Sequence, residues 1–217
     1  MLWVGEIATL QGLSALSLLC GAAYPALPSG WQIARAVTKT TAILGLAVLA
    51  ALGGAPLLAA ALALSALGDL ALAKPGDRAF LIGMGAFGAA HVVYAALFAG
   101  LGDAALIATP VRAAAVIGLL IFASVVAARL SRGAGPFRWP LRAYVALIAA
   151  MGVSALMLPA GPGTMFIWAG AALFITSDVL IGHERFAGLG FRGLGLAIWG
   201  LYYAGQVLIL LGVLAQI

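Results

Sequence analysis

The chain has 217 residues, 65% of them hydrophobic and only 8% charged, with a mean hydropathy of +1.19. This is too apolar for a soluble domain and far from the composition of a disordered chain, so the sequence describes an all-α, polytopic membrane protein. The formal charge of +5 and the isoelectric point near 9.9 do not point to nucleic acid, because the basic residues stand in short loops between apolar spans and report orientation instead.

Met1 to Glu6 carry no basic region and no small-residue cleavage site follows, so the first apolar run reads as a retained helix. Cys20, the single cysteine, falls in that run; it excludes an internal disulfide or a cysteine metal cluster and reads as a packing residue. Apolar runs bounded by Pro, Gly or charge then follow, giving helices at about 7–24, 35–53, 56–73, 79–100, 105–128, 141–158, 164–182 and 193–215. At about 1.5 Å per residue most of them match a hydrocarbon core about 30 Å thick. The break at Gly53-Gly54-Ala55-Pro56 is the narrowest, but Pro is well tolerated in the first turn of a new helix. Eight spans also segregate charge. Arg35, Lys39, Lys74, Arg78, Arg129, Arg132, Arg138, Arg142, Arg185 and Arg192 fall on one side and only Arg112 on the other, which places both termini outside and the basic loops in the cytoplasm. The whole chain, 1–217, reads as a single integral membrane domain, and its compact, Ala- and Gly-rich character suggests a bacterial inner membrane.

Two acids stand inside these spans, Asp69 at the end of the third and Asp178 at the end of the seventh. An ionised Asp at a helix centre costs roughly 2.5–3.5 kcal/mol on insertion scales, so such a residue faces a bundle interior, a polar cavity or a partner. Tyr94 follows Asp69 by 25 residues and Tyr203 follows Asp178 by the same interval. That match raises two parallel four-helix repeats; Ala/Leu-rich helices also resemble one another by chance, and both readings stay open.

Spacing from Lys74 and Glu184 places both carboxyls roughly 7–10 Å inside the cytoplasmic boundary. His91 lies deeper, at about 20 Å, with Tyr94 three residues on along the same face; Tyr202, Tyr203 and Gln206 lie at about 15–21 Å on the last span. Each has a plainer reading. Either Asp can be a protonated helix-packing donor, His91 a buried ring satisfied by a carbonyl, the tyrosines packing aromatics and Gln206 a helix-to-helix hydrogen bond. Ser65 and Ser177, each within a turn of its Asp, either orient the carboxyl or bond back to the backbone. Asp77 reads as a helix N-cap, and His183 and Glu184 as solvated loop residues.

Two histidines about 92 positions apart do not supply a three-ligand zinc site. There is no Gly-x-Ser-x-Gly elbow and no Gly-x-x-x-x-Gly-Lys-Ser/Thr loop. What remains is paired carboxylates in a low-dielectric setting, an arrangement suited to acid-catalysed cleavage through an oxocarbenium-like state: one carboxyl donates a proton while its ionised partner stabilises positive charge or activates water.

The stretches Ser65-Ala-Leu-Gly68-Asp69-Leu, Phe80-Leu-Ile-Gly83 with Phe87, His91 and Tyr94, Gly170-Ala171-Ala-Leu-Phe174-Ile-Thr-Ser177-Asp178 with Phe186, and Tyr202-Tyr203-Ala-Gly-Gln206 together resemble the YhhN-like lysoplasmalogenase family of integral membrane proteins. Lys39, Tyr144 and Met151 look like family positions too; Lys39-Thr40 departs from the Lys-Pro pair expected there, which bears only on the local helix start. The resemblance implies hydrolysis of the vinyl-ether bond of a lysoplasmalogen to a fatty aldehyde and a glycerophospho-alcohol, with a lysophospholipid substrate drawn from the membrane and no cofactor. In that reading Asp69 and Asp178 are the acid pair, His91 and Tyr94 orient water or substrate, and Lys39, beside Lys74 or Arg78, meets the phosphate; Ser65, Ser177, Tyr202, Tyr203 and Gln206 line the substrate site.

A proton-coupled transporter is the alternative, since intramembrane Asp, His and Tyr also build proton paths. It expects polar groups reaching both faces, whereas the outer half of the spans is almost purely apolar, with Glu6, Asp103 and Arg112 only near its ends. A third reading is a lipid-binding or scaffold protein without catalysis.

Overall fold

A computed structural model describes residues 4–217, with side chains from residue 8 onward; Glu6 lies outside those described side chains. Eight α-helices and no strand occur among the described residues: α1 (Val4–Ala23), α2 (Gln32–Leu52), α3 (Pro56–Leu72), α4 (Asp77–Leu101), α5 (Pro110–Leu130), α6 (Arg138–Leu156), α7 (Thr164–Ala187) and α8 (Leu194–Leu214). Six of them, α2 and α4 to α8, are long and apolar enough to cross a membrane, while α3 is apolar but has only 17 residues. The chain is thus an all-helical, multi-pass integral membrane protein.

Helix boundaries follow local chemistry. The break after α2 is real: Gly54 takes φ +80°, a conformation that side chains with a Cβ rarely adopt, and Pro56 opens α3 in its first turn. Two boundaries differ from the sequence expectation more than the others do. The fifth helix begins at Pro110, not near 105, because Thr109 is held extended before the proline ring, and Ala104–Ala108 instead form a 3-10 turn capped by the Asp103 carboxylate. The seventh runs on to Ala187, so His183 and Glu184 belong to its last turns and not to a loop; the His183 ring nitrogen Nδ1 lies 2.8 Å from the Val179 carbonyl, and Gly188 at φ +68° closes the helix.

The chain forms two compact units, and their boundary falls inside α4, between Ala90 and His91. In the first unit α1 packs on α2 and α2 on α3. Ser17 on α1 donates to the Ala42 carbonyl of α2 at 2.8 Å, and Gly68 of α3 leaves the space that the Phe87 ring of α4 fills. The apolar core there is built from Ile43, Leu46, Leu58 and Leu62.

In the second unit α7 and α8 form the tightest pairing. Gly163 at the start of α7, and Gly170 and Ser177 within it, face Gly212, Gly205 and Ile198 of α8 in antiparallel order, one contact every seven residues. A seven-residue period keeps one seam facing its partner over the length of both helices. Because lipid supplies no hydrophobic drive between helices, small residues at this seam let backbones approach and gain dispersion contact. Arg112 of α5 donates to the Leu156 and Leu158 carbonyls at the end of α6, with its guanidinium 4.8 Å from the Trp168 ring centroid, so the exposed backbone at that helix end is satisfied.

A Cβ added to Gly170 would lie 2.7 Å from the Gly205 carbonyl oxygen, which is backbone and cannot swing aside. Gly170→Val should therefore lower the thermal unfolding midpoint in detergent by an amount matching about 1–3 kcal/mol of overpacking. Gly200→Ala, whose Cβ meets nothing within 4 Å, should leave it unchanged or raise it; equal midpoints for the two variants would contradict the seam.

Candidate functional site

Asp69 lies in the last turn of α3 with its side chain wholly buried, and Lys39 of α2 reaches it: Nζ stands 2.8 Å from Oδ1. The ammonium expected from sequence to meet a phosphate is therefore engaged first by the acid. Both partners stay inside the first unit. Ser65, one turn earlier on α3, donates to the Ala61 carbonyl of its own helix at 3.0 Å and so bonds back to the backbone instead of orienting the carboxyl.

Asp178 lies on α7 and is met from two other helices. His91, wholly buried on α4, places Nε2 3.3 Å from Oδ2, and Tyr144 of α6 donates its hydroxyl to the same oxygen at 2.9 Å. Phe174, one turn before Asp178 on α7, packs under the His91 ring with centroids 4.7 Å apart, and Tyr144 meets that ring edge-on at 5.5 Å. The imidazole is thus fixed in position by an aromatic wall, with one nitrogen aimed at the acid. Among the described residues no hydrogen bond or ion pair engages Asp178 Oδ1.

Tyr94, three residues beyond His91 on the same face of α4, is fully buried and donates to Gln206 Oε1 of α8 at 2.5 Å. Gln206 is itself fully buried, and its Nε2 has no hydrogen-bond partner among the described residues. A buried donor left without a partner costs about 1–3 kcal/mol, which makes it a place where a ligand oxygen would be held. Tyr202 packs its ring against Phe174 and Trp199, and Tyr203 stacks on Trp199 at 5.3 Å. Ser177 donates to the Ile198 carbonyl of α8, pinning α7 to α8 beside Asp178.

Of the residues singled out from sequence, His91, Tyr94, Asp178, Tyr202 and Gln206 are linked in the second unit through the Phe174 ring or through direct hydrogen bonds, and Lys39 and Asp69 meet in the first. Tyr144, named from sequence only as a family position, joins this cluster although spacing arguments did not single it out as a site residue. It sits 34 residues from Asp178 on another helix, so no local period ties the two together; its hydroxyl inside an apolar helix was the available signal.

The Asp178 cluster holds a carboxylate, an imidazole and a phenol around one oxygen, out of water. Such a set can carry a proton between the imidazole and the carboxyl and keep both aligned while a charge forms nearby. Among the described residues, no three or more His, Cys, Asp or Glu gather as a metal-ion site.

No curated protein and no solved structure matches the chain. The family model described as YhhN does match, over residues 34–213, a stretch that holds every side chain named in this site from Lys39 to Gln206. With that match covering most of its length, the chain belongs to the YhhN family.

Proposed function

We propose that this protein is a membrane-embedded ether hydrolase of the lysoplasmalogenase type, cleaving the vinyl-ether bond of a lysoplasmalogen to a fatty aldehyde and a glycerophospho-alcohol. The observation that carries the reading is the buried Asp178, with His91 and Tyr144 both on Oδ2. Membership of the YhhN family is consistent with it.

A vinyl ether is cut by protonation of the alkene carbon that does not bear the ether oxygen. His91 and Asp178 share the proton that is given to that carbon; the adjacent carbon and the ether oxygen then carry the positive charge as an oxocarbenium ion. The Asp178 carboxylate stabilises this cation electrostatically, in surroundings too apolar to screen the interaction. Water adds to the cationic carbon and returns its proton to the His91 and Asp178 pair, and the hemiacetal collapses to aldehyde and alcohol. Tyr144 holds the carboxylate in place through its hydrogen bond, and Gln206 Nε2 is a donor for a substrate or water oxygen. Asp69 is retained as a second carboxyl required for turnover, on the ground of its place in the Ser65 to Asp69 motif and its total burial.

The proposal extends to topology: all eight helices cross the bilayer, both termini lie outside, and the ten basic residues lie on the cytoplasmic side. The short α3 spans about 25 Å at 1.5 Å per residue, which local bilayer thinning accommodates at modest cost. With Cys20→Ser as background, Gly53→Cys should react with a membrane-impermeant thiol reagent added to intact cells and Pro75→Cys should not. Equal labelling of the two would remove α3 from the spans.

For the chemistry, the purified protein should release aldehyde from an alkenyl lysophospholipid and none from its saturated-ether analogue, and the alkenyl reaction should be slower in deuterated water if proton transfer to carbon limits the rate. Aldehyde from neither substrate, with the protein folded and lipid bound, would leave the lipid-binding reading in its place.

A further inference from the structure

In the second unit the connection from α5 to α6 packs against the end of α7. Phe137 meets Phe186 with ring centroids 6.0 Å apart, and the Arg185 guanidinium lies 5.9 Å from the Phe137 centroid. Arg129, Arg132, Arg138, Arg142, Arg185 and Arg192 stand at this end of the helices, and among the described residues Glu184 is its single exposed acid. The excess of positive charge is therefore not neutralised within the chain.

Two of these cations are placed against the local rules of the helix that carries them. Arg138 opens α6 and Arg142 stands one turn on, so two like charges share one face, which disfavours the helix. Both also lie at the helix N-terminus, the positive end of its dipole, where an anion is favoured and a cation is not. No side chain caps that terminus. The two guanidiniums flank one ring, at 5.9 and 5.1 Å from the Trp139 centroid. Arg142 is fixed by donation from Nε to Ser131 Oγ at 3.1 Å, which leaves its two terminal nitrogens as a fork of donors. Among the described residues neither guanidinium forms an ion pair. An anion placed between them would turn both unfavourable effects into favourable ones.

The surroundings point to a lipid as the source of that anion. Trp139 is 70% exposed at the start of a helix long and apolar enough to cross a membrane, and an amphipathic indole so placed belongs at headgroup level. Beyond it the exposed face of α6 continues through Ala143, Ala146 and Ala150, whose short side chains leave room for an acyl chain along the helix. We propose that Arg138, Trp139 and Arg142 hold the headgroup phosphate of an anionic phospholipid, such as phosphatidylglycerol, from the surrounding bilayer. A zwitterionic headgroup is disfavoured, because its ammonium would enter among arginines and the Trp139 ring is already flanked by two guanidiniums. The proposal uses neither Asp178 nor any catalytic step, so it stands or falls separately from the proposed function.

The full chain, purified in mild detergent, is incubated with equimolar phosphatidylglycerol and phosphatidylcholine of matched acyl chains, and the retained lipid is counted by native mass spectrometry. Phosphatidylglycerol should be retained at least about fivefold over phosphatidylcholine, which is the attraction of roughly one basic residue for an anionic lipid. Arg138→Gln, at an exposed position, should lower that preference by at least about threefold, and Arg138→Lys, which keeps the charge and loses the planar fork, should lower it by less. Arg192→Gln removes one charge from the connection before α8 and should change the preference by less than about twofold. Equal retention of the two lipids by the parent protein would overturn the proposal. So would an equal effect of Arg138→Gln and Arg192→Gln, which would reduce the site to the general charge of this end. Displacement of the retained lipid by equimolar glycerol 1-phosphate would also overturn it, since the site would then belong to a soluble anion.

Discussion

A carboxylate inside an apolar helix bundle has to be matched where it stands. Both acids are matched within their own unit: Asp69 by the Lys39 ammonium at 2.8 Å, and Asp178 by the His91 imidazole and the Tyr144 hydroxyl at 3.3 and 2.9 Å. Breaking a buried pair by removing one partner costs about 3–5 kcal/mol, because the remaining group is left without compensation. These contacts therefore fix α2 against α3, and bring α4, α6 and α7 together around one oxygen. The two matches differ in kind. Lysine and aspartate form a plain ion pair, whereas imidazole, phenol and carboxyl can exchange protons without leaving their places, which is why the acid chemistry is assigned to Asp178.

That cluster is seated on the close packing of α7 against α8. The α7 to α8 seam sets Gly170 against Gly205 and Ser177 against the Ile198 carbonyl, so the residues between and after them, Phe174, Asp178, Tyr202 and Gln206, have a fixed register. Phe174 passes this order on to the His91 ring and to Tyr94. Side chains locked by packing suit electrostatic stabilisation of a short-lived cation, since donors and charges already in place need no reorganisation when it forms. The glycines thus help set the geometry of the cluster, and the apolar surroundings raise the strength of every charge interaction in it.

Much of this was legible before the structure. The helical class, the break at Gly54 and Pro56, and the presence of polar groups in apolar runs all follow from local composition. The long α7 was not, because His183 and Glu184 look like loop residues until the left-handed turn at Gly188 is seen to stop the helix after them. Nor were the partners of each acid, which lie on other helices: Lys39 is 30 positions from Asp69, and Tyr144 is 34 from Asp178. Periodicity along one helix carries no information about such contacts. Lys39 was expected at the phosphate, and its charge supported that, but its reach toward Asp69 is a tertiary fact. Ser65 and Ser177 were legible only as polar neighbours of the acids; which carbonyl each one chose depended on helix packing.

The central claim is that the buried carboxyls carry the reaction and do not merely hold helices together. Its most direct measurement is aldehyde release from an alkenyl lysophospholipid by Asp178→Asn and Asp69→Asn, each purified in detergent and compared with the parent at matched thermal stability. The amide keeps the size of the side chain and removes its charge and its exchangeable acid proton. Turnover should fall by at least about a hundredfold in each, in Asp178→Asn through loss of an acid-base group and in Asp69→Asn because that carboxyl is proposed to be required for turnover. Turnover near the parent value in either variant, with its fold intact, would contradict the claim and leave that carboxyl a packing residue.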